Sequence, residues 1–138
     1  MTPHRPLPRP RGFTLLELLI AMAIIGILIA IGMPQYTEYL NKGKLSEGQS
    51  MLSELQLRQE QYYQDNRIYL NGMTPRQTST IFSTVSCVTA NTNQTYTCTV
   101  TAPSLSVSYT VTESGAKTTT KPDGSTASCW LKSISGSC

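Results

Sequence analysis

From Phe13 to Met33 the chain reads FTLLELLIAMAIIGILIAIGM, 21 residues in which Glu17 is the only charge. A helix of that length, rising about 1.5 Å per residue, matches the roughly 30 Å hydrocarbon core of a bilayer. No side of it is polar, so such a helix needs apolar surroundings on every face. Beyond Pro34 the pattern opens out. Leu45, Leu52, Leu55 and Tyr62 follow a seven-residue spacing, charges fill the positions between them, and Glu38 and Lys42 stand at i, i+4 in the favourable order. This pattern predicts one helix from Phe13 to Asp65, about 80 Å if straight, apolar in its first half and amphipathic in its second. Pro34 lacks the N–H that would bond the Ala30 carbonyl, so a kink or a locally melted turn is expected near Gly26–Pro34. Gly43 and Gly48 are further weak points.

Asn-Gly and Thr-Pro in NRIYLNGMTPRQTSTIF mark a connecting loop over 66–84. From Val85 the period falls to two. Tyr96, Cys98, Val100 and Ala102 alternate with threonines; Leu105, Val107, Tyr109 and Val111 alternate with Ser and Thr. These are half-buried antiparallel strands with one wet face. Turn signals fall at Asn91–Asn93, Ser114–Gly115 and Pro122–Gly124. The expected fold class is α+β: a long helix whose Leu45–Tyr62 stripe is covered by a small antiparallel sheet of three or four strands. A hairpin turning about Thr92–Asn93 sets Cys87 opposite Cys98, and directly opposed residues of a non-hydrogen-bonded pair lie about 4.5 Å apart at Cα, within disulfide reach. Cys129 and Cys138 would then close CWLKSISGSC. Four cysteines allow three pairings, and the alternatives join Cys129 to Cys87 or Cys98. Trp130 is read as a packing residue under the tail.

Charge narrows the picture. The formal +3 belongs to Arg5, Arg9 and Arg11; from Phe13 onward Lys/Arg and Asp/Glu number eight each. Arginines on the N-terminal side of the apolar run orient it with its N-terminus in the cytoplasm, delivering everything after Met33 outward. Four cysteines in the last 52 residues suit an oxidising compartment. Zinc is disfavoured, because there is no C-x-x-C pair and His4 is the only histidine. A cleavable secretory signal fits poorly: the run is long, and Ala30, Gly32 and Pro34 make no convincing cleavage site. A plain membrane anchor leaves Glu17 unexplained, since an acid in a transmembrane helix costs about 2.5–3.5 kcal/mol and usually has a partner. No convergent acid pair or catalytic histidine is apparent, so the chain is not read as an enzyme, and no cofactor is expected.

Gly12, Phe13, Glu17, the apolar run and Pro34, in that order and spacing, resemble the class III signal of type IV pilins and pseudopilins. The resemblance implies the pilin fold, cleavage between Gly12 and Phe13 by a prepilin peptidase, N-methylation of Phe13, and assembly through Phe13, Glu17 and Pro34. It divides the chain into a removed cytoplasmic leader (1–12), an apolar transmembrane and filament-core half-helix (13–33), an amphipathic half (34–65), a connecting loop (66–84) and a sheet with a disulfide-stapled C-terminal region (85–138). Many pilins close a C-terminal disulfide loop similar to 129–138. EGQSMLSELQLRQEQYYQDN and SCW look like the PilE-like minor type IV pilins of Gram-negative bacteria, while the Cys87/Cys98 pair and the terminal Cys138 depart from them. Implied partners are other pilin subunits, the prepilin peptidase, the inner-membrane assembly machinery and the membrane itself. A major pilin is an alternative. So is a secretion pseudopilin, but Glu113 and Asp123 are too sparse for the calcium site common in the major pseudopilin. DNA binding would need a basic stripe, for which Lys117, Lys121 and Lys132 are the candidates, but three lysines in a neutral mature domain are usually just solvated. Physically, cutting before Phe13 creates a cationic amine one helical turn from Glu17. The two can neutralise each other within or between chains, and the attraction strengthens in a dry environment.

Overall fold

The computed structural model describes residues 12–138, so the leader expected over 1–12 lies outside the described residues except for Gly12. The chain divides into two compact units that meet between Thr37 and Glu38.

Helix α1, Leu15–Asn66, begins in the first unit and ends in the second. Thr14 caps it: the Glu17 backbone N–H donates to the Thr14 hydroxyl oxygen at 3.2 Å, and the Leu18 N–H to the Thr14 carbonyl at 3.2 Å. Every side chain from Phe13 to Thr37 is exposed in the isolated chain. Residues 26–34 are helical throughout, so the locally melted turn expected there is absent. Proline withholds a single N–H, and the bonds around it hold the helix together; the Thr37 hydroxyl adds contacts to the Pro34 carbonyl at 2.9 Å and the Met33 carbonyl at 3.3 Å. The helix stops where Arg67 turns left-handed (φ 59°), its N–H closing onto the Tyr63 carbonyl at 2.8 Å.

In the second unit five strands form one antiparallel meander in chain order: β1 Thr84–Ala90, β2 Thr95–Ala102, β3 Val107–Thr112, β4 Lys117–Thr120 and β5 Thr126–Ala127. The count exceeds the expected three or four because β5 is two residues long, too short to show alternation, and pairs with Thr119 and Thr120 after the Pro122–Gly124 turn. The β1–β2 register opposes Cys87 to Cys98 and Val85 to Val100. Tyr96, Cys98, Val100, Ala102, Val107, Tyr109 and Val111 are buried, against Leu45, Leu52 and Leu55 of the helix. Tyr62 is half-buried, and Leu105 sits in the 3-10 turn Pro103–Leu105. On the other face Thr97, Thr99, Thr101, Ser108, Thr110, Thr118 and Thr120 meet solvent, a β-prone surface with no charge among them.

The loop 66–84, uninformative as sequence, contributes much of the packing. Tyr69, Met73 and Phe82 are buried in the same core. Gly48 makes room for this packing, because a Cβ at that position would overlap the Phe82 ring. Gln59, fully buried, donates from Nε2 to the Leu70 carbonyl (2.7 Å) and accepts the Leu70 N–H at Oε1 (2.9 Å), pairing as a backbone strand would. The loop also covers the free edge of β1. Gly72 N–H donates to the Cys87 carbonyl (2.8 Å), Cys87 N–H to the Met73 carbonyl (3.1 Å), and Thr89 N–H to Asn71 Oδ1 (3.1 Å). An edge strand covered in this way is closed to pairing with another chain.

Candidate functional site

The N-terminal site is built by one capped helix. Gly12, Phe13 and Thr14 precede the first helical residue, and Phe13 is 83% exposed. Glu17 lies in the first turn, where the helix dipole favours an acid. Sequence reasoning placed the acid there but missed Thr14, although T-x-x-E is the signature of a helix start. Among the described residues the Glu17 carboxylate makes no ion pair; the two pairs present are Lys42–Glu38 at 3.0 Å and Arg58–Glu54 at 3.8 Å. The helix contains an 18-residue window of mean hydropathy 2.7, none of it buried, long and apolar enough to cross a membrane.

The C-terminal site is held by side chains from three elements. Leu131 is 2% exposed. Its carbonyl accepts from Gln49 Nε2 and from the Tyr109 hydroxyl, each at 2.8 Å, and its N–H donates to the Thr119 hydroxyl oxygen at 3.1 Å. The Thr119 hydroxyl in turn donates to the Cys129 carbonyl at 2.6 Å. The Trp130 indole N–H donates to the Thr110 carbonyl at 2.8 Å, and the Lys117 ammonium stands 4.2 Å from the centre of its ring. Trp130 is half-buried, held to β3 by its indole N–H and to β4 by Lys117. Lys117 opens β4 and Lys121 follows its last residue, about 13 Å apart along an extended chain. Lys132 lines a cleft with Lys42, Ser46 and Gln49, so the structure does not gather the three sheet-region lysines at one point.

Cys87 bonds Cys98 with Cα atoms 3.9 Å apart, and Cys129 bonds Cys138 at 5.7 Å. Both backbone groups of Cys87 point away from β2 toward the 72–73 loop, which makes Cys87–Cys98 a non-hydrogen-bonded pair of the ladder, the closer of the two kinds. Both of its cysteines are fully buried, while Cys138 is exposed. Burial pushes the Tyr96 phenol well above its ordinary range, and the Glu60 carboxylate, 3.5 Å from its hydroxyl, adds to the shift. Tyr69 is raised by the same causes, and Tyr109 by burial, which its contact with Gln49 partly offsets. Asp123 is lowered by the Ser125 hydroxyl and N–H that bond its carboxylate. Among the described residues no cluster of three His, Cys, Asp or Glu is placed to hold a metal ion.

Comparison with known proteins identifies the family. The family model described as "Type IV minor pilin ComP, DNA uptake sequence receptor" matches residues 34–130, and the prokaryotic N-terminal methylation motif matches residues 7–33. The chain belongs to the type IV pilin family. It is 42% identical over 62 residues to the type IV major fimbrial protein FimA of Dichelobacter nodosus strain VCS1703A, covering 45% of this chain and 38% of the relative. It is also 42% identical over 62 residues to the type IV major pilin protein PilA of Myxococcus xanthus strain DK1622, covering 45% and 28%. A fimbrial protein of Pseudomonas aeruginosa is 38% identical over 68 residues, covering 49% and 44%. The chain thus spans less than half the length of these curated relatives. A solved type IV pilin from Shewanella oneidensis superposes with a TM-score of 0.48 at 11% identity, over 55% of this chain and 88% of that one.

Proposed function

We propose that the chain is a minor pilin, a structural subunit that polymerises through its N-terminal helix into an extracellular filament serving adhesion, twitching motility or DNA uptake. The observation that carries this reading is the run Phe13–Met33, exposed on every side in the isolated chain and interrupted only by Glu17. Such a surface needs a bilayer before assembly and neighbouring helices after it. In this reading the helix spans the inner membrane with its N-terminus in the cytoplasm. A prepilin peptidase cuts between Gly12 and Phe13, and Phe13 is methylated. The new amine and Glu17 then pair as the inner-membrane machinery moves the subunit into the fibre.

Several features support this chemistry. Gly12 and Phe13 precede the capped helix, so the bond between them is not part of it, and the methylation motif covers both. The test is the N-terminus of the protein purified from sheared filaments. N-methyl-phenylalanine corresponding to Phe13 is expected; filaments whose subunits begin at Met1 would overturn the proposal. The amount per filament separates minor from major, a trace band with loss of fibres on deletion being expected.

A second reading, capture of DNA by the filament, is favoured by the description of the matching family. Lys117 with the Trp130 ring offers a cation beside an aromatic face, but the dispersed lysines form no basic stripe. Retention of the full chain on duplex DNA, falling in the Lys117→Gln variant and with rising salt, would support it.

A further inference from the structure

The two disulfides differ in what surrounds them. Cys87 and Cys98 are both 0% exposed, under the core on one side and the 72–73 loop on the other. Cys138 is exposed and Cys129 half-buried. The bond at 129–138 also carries a different mechanical load. Residues 129–131 are fixed without it, by the bonds from Thr119, Gln49, Tyr109 and the Trp130 indole. Beyond Leu131 little holds the chain: a Gly136 N–H to Ser133 carbonyl contact at 3.1 Å and the side chain of Ile134, half-buried against the core. Residues Ser133, Ile134 and Ser135 form one wall of a cleft of about 190 Å³ whose other wall is Glu38, Asn41 and Lys42 of α1.

We propose that Cys129–Cys138 is a reducible latch. It straps residues 132–138 against the helix at Glu38–Lys42, while Cys87–Cys98 is permanent and inaccessible to reductant. The reagent class is a dithiol. Its thiolate attacks the exposed Cys138 sulfur, the S–S bond breaks, and Cys129 leaves as a thiolate. The second thiol of the reagent then closes the reagent's own disulfide and releases Cys138. Two electrons pass from the dithiol to the bond, and both cysteines end as thiols. Opening frees the strap alone, because Leu131 stays clamped, and it uncovers the flank of α1 and the seat of Ile134.

The experiment uses the full chain in detergent, treated with dithiothreitol without denaturant, alkylated and mapped by mass spectrometry. Cys129 and Cys138 are expected to be labelled at least about tenfold faster than Cys87 and Cys98, following accessibility. Trypsin cleavage after Lys132 is expected to accelerate by about tenfold or more on reduction, as the closed loop Cys129–Cys138 becomes an open segment. Cleavage after Arg58 and Lys117, both within the fold, should not change. The double variant Cys129→Ser/Cys138→Ser should show the same protected core and the same fast cut after Lys132. Equal labelling of all four cysteines would overturn the proposal. So would a strap that resists trypsin with both thiols alkylated, or a double variant cut throughout.

Discussion

Gly48 and Gln59 show how much a single residue on the packed helix decides. The Phe82 ring occupies the space where a Cβ at Gly48 would be, so Gly48→Val forces the ring and its loop outward. The variant is expected to lose about 1–3 kcal/mol, read as a lowered midpoint of chemical unfolding of the full chain in detergent. Gln59→Leu keeps the volume but strands the Leu70 N–H and carbonyl. A loss of about 2 kcal/mol or more is expected by the same measurement, with faster hydrogen exchange at Leu70. At the other end of the helix, Glu17→Val removes the acid but leaves Gly12–Phe13 unchanged. That variant should be processed and stay in the membrane, with little in sheared filaments by immunoblot; normal incorporation would refute the charge-pair account.

At the scale of elements, the β1–β2 hairpin concentrates local strain. Asn91, Thr92 and Asn93 are all left-handed, with φ of 50°, 59° and 62°. Asparagine tolerates this conformation, but β-branched threonine does not, at a cost of roughly 1–2 kcal/mol. Thr92→Gly is expected to raise the melting temperature by about 4–8 °C per kcal/mol recovered, checked by circular dichroism. The hairpin register was legible because turn residues and alternation agree on it, and that agreement alone set Cys87 opposite Cys98. β5 was not legible, since two residues carry no period. Nor was the packing role of the 66–84 loop: Tyr69, Met73 and Phe82 are irregularly spaced, and only the surfaces they meet explain their burial.

Across the whole molecule, three tyrosines are held protonated more firmly in the folded state than in the unfolded chain. The unfolded phenols begin to ionise near their ordinary value of 10.0, while Tyr69, Tyr96 and Tyr109 resist. Above that pH the unfolded state binds fewer protons than the folded state, so stability falls as pH rises. Denaturant midpoints should therefore decline from pH 10 upward. Tyr96→Phe should flatten the decline; an unchanged slope would locate the alkaline sensitivity elsewhere.

The sequence by itself determined the helix, its apolar first half, the lone Glu17 and the alternation of the sheet. Each of these is a local rule, a period or a composition that a few neighbouring residues fully express. Only the tertiary structure decided the rest: the glycine under Phe82, the glutamine acting as a strand partner, the Leu131 clamp and the unequal exposure of the two disulfides. Those features depend on residues distant in the chain meeting at van der Waals or hydrogen-bond distance, and no local pattern records which surfaces the fold brings together.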